Sequence, residues 1–279
     1  MIIDFHTHTF PDKIAPAAIQ KLKEASHTTA FTTGTEAELI ASMKKCGIAK
    51  SVVLPIATNL EKIVHINDIS AEKNKGGELI YFGCIHPDYE NFRDELKRIK
   101  SIGIKGIKLH PFYQNTDFDD IKYKRLLDCA EELRLITVVH SGLDVGFPGI
   151  ERCTPEMMKN VIDEVRPERL VLAHMGGWRC WEESAELLSG KGVFIDTSFS
   201  VGKMSQDENY YPEEDLKLLS YENAAKIISA YGEDHVLFGT DSPWSEQKAS
   251  IDEIMMLPVS AEAKEKILHR NAESILGLS

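Results

Sequence analysis

The opening stretch Ile2-Ile3-Asp4-Phe5-His6-Thr7-His8 runs a short apolar, β-branched segment into a His-x-His ending, and the rest of the chain repeats that grammar. Similar runs span Ser51 to Pro55, Leu79 to Ile85, Gly106 to His110, Ile136 to His140, Leu170 to His174, Val193 to Thr197 and Val236 to Thr240. Nearly continuous apolarity is what parallel strands covered on both faces require. Helical spacing fills the gaps, as in Leu39, Met43 and Cys46, or Met157, Val161, Ile162 and Val165. Thr154 before Pro155 reads as a helix start, and Gly47 as a left-handed helix stop. Alternating β and α units imply right-handed crossovers.

An open doubly wound sheet would share this alternation, so the strand ends must decide. Polar, chemically capable residues end strands from the first to the eighth, and only closure sets the first beside the last. The expectation is an α/β chain folded as a (β/α)8 TIM barrel, a single domain over 1–279. Two connections are long, Thr9 to Thr35 and Ser198 to about Ser220, and both follow strand carboxyl ends, where barrel enzymes bind substrates.

Composition narrows the partners. A formal charge of −12 repels nucleic-acid backbones and anionic membrane surfaces. No apolar run reaches the roughly 18 residues of a membrane span, and the amino terminus lacks a signal-peptide pattern. Five scattered cysteines without a Cys-x-x-Cys pair read as reduced thiols. A cytoplasmic enzyme with a small-molecule substrate is expected, with no nucleic acid and no membrane; a homo-oligomer is left open.

The strand ends carry the chemistry. Strict alternation puts His6 and His8 on one side, with Phe5 and Thr7 toward the helices. His140, His174 and Asp241 end three further runs, and four imidazoles and a carboxylate converging in a closed barrel point to a metal. Imidazole and carboxylate without thiolate favour one divalent ion, Zn2+ first, with Mn2+, Fe2+ and Co2+ compatible. Asp241 could ligate through one oxygen and serve as general base through the other. Asp4, one layer deeper, is either an orienter of an imidazole or a structural carboxylate.

Lys108 and His110 share a face of the fourth strand. Buried lysine is rare, so Lys108 is expected to bind a substrate carboxylate or, if carboxylated, to bridge a second metal. Trp178 and Arg179 follow Gly176-Gly177 at the mouth, where Arg179 could grip a carboxylate or lie solvated. His86, after the third strand, is a further candidate for the pocket wall.

Taken together, Ile3 to His8, Gly106 to Pro111, Leu172 to Gly177 and Gly239 to Trp244 resemble the amidohydrolase superfamily over essentially the whole chain. The resemblance is to the metal-dependent barrel branch containing aminocarboxymuconate-semialdehyde decarboxylase-like enzymes. It implies His6, His8, His140 and Asp241 as metal ligands, and His174 as an acid-base residue or ligand of a second ion. Some relatives bridge two metals from the very end of the fourth strand; here His110 holds that end, which favours one metal. The leading expectation is a hydrolase cleaving a C–N or C–O bond of a small carboxylated metabolite with metal-activated water, Asp241 and His174 being catalytic. The alternative is a metal-dependent decarboxylase, a lyase, and the third a non-catalytic metal-binding protein.

Overall fold

The computed structural model describes residues Met1–Leu278. Its strands are β1 (Ile3–Thr7), β2 (Lys50–Val53), β3 (Leu79–Tyr81), β4 (Gly83–Cys84), β5 (Gly106–Leu109), β6 (Ile136–Val139), β7 (Leu170–Leu172), β8 (Phe194–Asp196) and β9 (Val236–Leu237). β3 and β4 are halves of the third barrel strand, interrupted at Phe82. Every pair is parallel, in the orders β1-β2-β3 and β4-β5-β6-β7-β8-β9. Backbone hydrogen bonds join the two runs into a ring. At one seam Phe82 N donates to Val53 O (3.0 Å); at the other, Phe5 N donates to Phe238 O (2.7 Å), Asp241 N to His6 O (2.8 Å) and His8 N to Ser242 O (2.7 Å).

The helices are α1 (Ala15–Ser26), α2 (Glu36–Cys46), α3 (Ile63–Lys73), α4 (Phe92–Ser101), α5 (Ile121–Glu132), α6 (Pro155–Val165), α7 (Trp181–Leu188), α8 (Tyr221–Tyr231), α9 (Gln247–Met256), α10 (Ala261–Glu265) and α11 (Asn271–Leu276). No described helix is long and apolar enough to cross a membrane. The expected caps form: Thr154 accepts from Met157 N, and Gly47 stops α2 at φ 75°. One cluster packs helices against the outer strand faces. A second fills the ring with Ile3, Phe5, Val52, Phe82, Val138, Val171 and Leu237, and α11 adds Ala272, Ile275 and Leu276 to it.

Strict alternation fails on β1. Its register with β2 shifts between Asp4 and Thr7, and such a shift re-aims side chains. Phe5 therefore points into the barrel, edge-on to Phe82 at 5.9 Å, and not to the helices as alternation predicts. Asp4 orients no imidazole. It is structural, accepting from the Thr240 hydroxyl (2.6 Å), Thr240 N (3.0 Å) and Gln247 Nε2 (2.7 Å), so it ties β1 to the eighth strand's end.

The first long connection is not wholly irregular: it contains α1. The two long connections hold each other: Thr29 N donates to Ser205 O (3.1 Å), Tyr211 Oη to Ser26 O (2.7 Å), and Lys23 pairs with Asp207 (2.7 Å). Together they form a wall on the carboxyl side of the strands, where the chemistry is expected.

Candidate metal centre

β1 delivers His6 and His8, and the turn after β9 delivers Asp241. Asp241 sits at φ 64° and His174 at φ 59°, the sparsely populated left-handed region that clusters at functional sites. Gly239 makes room beside them, since a Cβ there would meet His6 Cβ at 2.8 Å. His6 Nδ1 lies 2.8 Å from Asp196 Oδ2 and His8 Nδ1 lies 3.0 Å from Leu54 O. Both partners accept, so both Nδ1 atoms carry the proton and both Nε2 atoms present lone pairs. These lone pairs face each other at 3.2 Å, and Asp241 Oδ1 stands 3.3 Å from one and 3.2 Å from the other.

Three acceptors meeting without a proton repel unless a cation joins them. Ligands held tetrahedrally at about 2.0–2.1 Å from one ion are about 3.3 Å apart, which these separations fit. Lys108 Nζ, fully buried, lies 3.3 Å from His6 Nε2. Burial pushes its ammonium down to about 8, against the pull of Asp196, Asp241 and Asp144. Burial also pushes the Asp241 carboxyl up, but its contact with His8 and the nearby His6 and His174 rings outweigh this and hold it well below the usual carboxylate range.

His140 stands apart from that triad. Its Nε2 faces Leu143 O at 2.9 Å and so carries the proton, while Nδ1 faces His174 Nε2 at 3.0 Å. His174 Nδ1 faces Ser198 O at 3.1 Å, so its proton lies there. Two further lone pairs therefore meet between β6 and β7 and need a proton or cation between them. The four-ligand set expected from resemblance becomes a triad plus an imidazole pair. Two loop carbonyls impose this, and neither is visible in a strand-end pattern.

Other candidates divide. His110 stacks on His140, with centroids 4.3 Å apart. Trp178 is 8% exposed and ties two loops through Ser141 O and Leu143 N, its Nε1 buried without a partner. Arg179 grips no open space: its guanidinium donates to Lys217 O (2.6 Å) and Asp215 O and lies over Trp178, so it fastens the second long connection. His86 Nδ1 accepts from Asp88 N at 3.1 Å, a local turn contact.

Asp196 and Ser198, which the strand-end pattern does not single out, hold the candidate site's imidazoles in place. Asp196 Oδ1 accepts from His174 N (3.0 Å), Ser198 N (3.1 Å) and the Ser198 hydroxyl while its other oxygen fixes His6. A carboxylate ending the seventh apolar run was the available signal. Asp144, beyond β6, lies 3.5 Å from both His110 Nε2 and His140 Nε2, and no periodicity marks it.

No curated protein sequence matches the chain significantly. Solved structures do. A manganese-bound 5-carboxyvanillate decarboxylase from Novosphingobium aromaticivorans superposes with a TM-score of 0.66 at 14% identity, covering 99% of this chain and 97% of that one. The 2,6-dihydroxybenzoate decarboxylase from Rhizobium gives 0.67 at 16% identity, covering 99% and 98%. A probable 2-pyrone-4,6-dicarboxylic acid hydrolase from Acinetobacter baumannii gives 0.64 at 15% identity, covering 99% of each. These likenesses establish the shared barrel. The amidohydrolase family model matches residues 3–278, nearly the entire sequence, and the chain belongs to that family.

Proposed function

We propose that this protein is a metal-dependent, non-oxidative decarboxylase of a small aromatic carboxylic acid, a carboxy-lyase before a hydrolase. The observation that carries the reading is the His140 Nδ1–His174 Nε2 contact at 3.0 Å, two buried imidazole nitrogens placed so that one proton can sit between them. Decarboxylation needs a proton delivered to carbon, whereas hydrolysis needs one removed from water. Aromatic-acid decarboxylases among the structural neighbours support the same choice.

His6, His8 and Asp241 would hold one divalent ion, zinc on the donor chemistry or manganese as in a neighbour. When bound, such an ion polarises substrate oxygens and offsets negative charge. Lys108 Nζ binds an oxygen of the anionic substrate. His174 Nε2 gives its proton to the ring carbon bearing the carboxylate. The carbon–carbon bond then breaks, its electron pair returns to the ring, and carbon dioxide leaves. Asp196 keeps the His6 ring and the His174 backbone in place throughout.

Hydrolysis by metal-activated water, with Asp241 as base, is the second reading, and the pyrone hydrolase neighbour favours it. The test loads the protein with zinc or manganese and supplies 2,6-dihydroxybenzoate, 5-carboxyvanillate and 2-pyrone-4,6-dicarboxylate. Carbon dioxide released in step with loss of an aromatic acid supports the proposal. Ring opening of the pyrone without carbon dioxide replaces it with hydrolysis, and tight metal binding with neither reaction leaves a binding protein.

A further inference from the structure

Asp144 is partly buried, its side chain 9% exposed, and only half used. Oδ1 accepts from Gly146 N at 2.7 Å, but Oδ2 reaches no nearer than 3.5 Å to His110 Nε2 and His140 Nε2. At that separation a hydrogen bond is marginal. His110 Nδ1 is also buried without any partner. An unsatisfied buried nitrogen is costly, and one beside a carboxylate oxygen with only marginal contacts calls for an explanation.

A second metal is the first explanation to weigh, because His110, His140 and Asp144 bring three donors within ligating range. Two features oppose it. The His140 Nε2 proton already faces Leu143 O. The two imidazoles stack with planes 21° apart, so no point near both nitrogens lies in both ring planes, where the lone pairs point.

The neighbours indicate a different occupant. Tyr113 packs 4.4 Å from the His110 ring and 5.1 Å from Phe147, and Phe112 lies 5.6 Å from Phe147. Tyr113 and Phe147 remain partly exposed, so this aromatic wall is open on one side. Burial pushes the Tyr113 hydroxyl well above its usual range, and the charges of Asp144 and Asp241 add to it. The wall therefore lies within electrostatic reach of both the metal triad and Asp144.

We infer that Asp144 is a specificity-determining residue: its Oδ2 accepts a hydrogen bond from a hydroxyl or amine on the substrate ring while the aromatic wall of Tyr113 and Phe147 packs against that ring. The inference rests on reading the site as one for aromatic acids. A donor on the ring completes a buried acceptor that an unsubstituted ring leaves bare. One charged hydrogen bond gained or lost corresponds to about 10- to 100-fold in affinity.

The test is calorimetric titration of zinc-loaded full-length protein with benzoate and its 3-hydroxy, 4-hydroxy, 3-amino and 4-amino derivatives. Wild type should bind at least one derivative about 10-fold or more tighter than benzoate. Asp144→Ala should bring that derivative to within about twofold of benzoate, with metal content and melting unchanged, while Phe147→Ala weakens all five alike. If Asp144→Ala does not fold, Asp144→Asn decides, and the preference should drop several-fold. Absence of binding, absence of a preference in wild type, or a preference surviving in the variant overturns the inference. Equal weakening of all five ligands by Asp144→Ala also overturns it, since that is what mere positioning of the imidazoles would give. Donor preference without carbon dioxide release would remove the decarboxylase reading and leave the subsite standing. Release without preference would do the reverse.

Discussion

Lys108→Met should make the metal-free protein more stable and less able to bind acids. The ammonium has no solvent exposure, and its nearest polar atom is His6 Nε2 at 3.3 Å. Burial pushes Lys108 from 10.5 down to about 8. Folding therefore disfavours the charged form, and the resulting destabilisation is relieved as pH rises from 8 toward 10.5. Below pH 8 the full penalty applies, about 3 kcal/mol from two and a half pH units at 1.36 kcal/mol each. Methionine fills similar volume without charge, so chelator-treated Lys108→Met should exceed wild type by up to about 3 kcal/mol at pH 7 and by about 1 kcal/mol at pH 10. Urea titration across pH 7–10 measures the gap, and benzoate calorimetry on the zinc-loaded form measures the loss of acid binding. A variant less stable than wild type, or a gap that does not narrow with pH, would refute the assignment of Lys108 as a buried cation kept for an anionic ligand. A crystal showing a carbamate on Lys108 would turn the same residue into a bridge between two ions.

His6→Ala with His8→Ala removes two of the three converging acceptors; elemental analysis should find folded, metal-poor protein, and unchanged metal would sink the triad. Asp241→Asn keeps an oxygen at the site but loses its charge, so metal should largely remain while turnover on any confirmed substrate drops about 100- to 10,000-fold. Asp196→Asn places an amide where His6 Nδ1 and three other donors need acceptors, and metal affinity measured by competition with a chelator should fall about 10- to 100-fold without loss of the fold.

The barrel was legible because two independent signals agreed. Continuous apolar runs demanded buried parallel strands, and reactive residues at their ends demanded closure. What alternation could not supply was the behaviour of β1, where one shift of register turns Phe5 inward and sends Asp4 to Thr240 and Gln247. Parity arguments assume an unbroken ladder, and strands beside functional sites are a common place for that assumption to fail. The helix α1 escaped for another reason: its apolar stripe is weak, with only Ala15, Ile19 and Ser26 buried, so propensity and the Pro16 start had little pattern behind them.

The site was legible to the extent that its chemistry sits on strands. His6, His8 and Asp241 converge as their positions imply, because neighbouring strands in a closed ring leave little freedom. Protonation is decided elsewhere. Leu54, Leu143 and Ser198 are unremarkable in sequence, yet their carbonyls fix which nitrogen of His8, His140 and His174 keeps its lone pair. Those carbonyls are why His140 pairs with His174 rather than joining the triad. A residue type at a strand end states what a side chain is able to do; the backbone acceptor facing its far nitrogen selects which of those things it does.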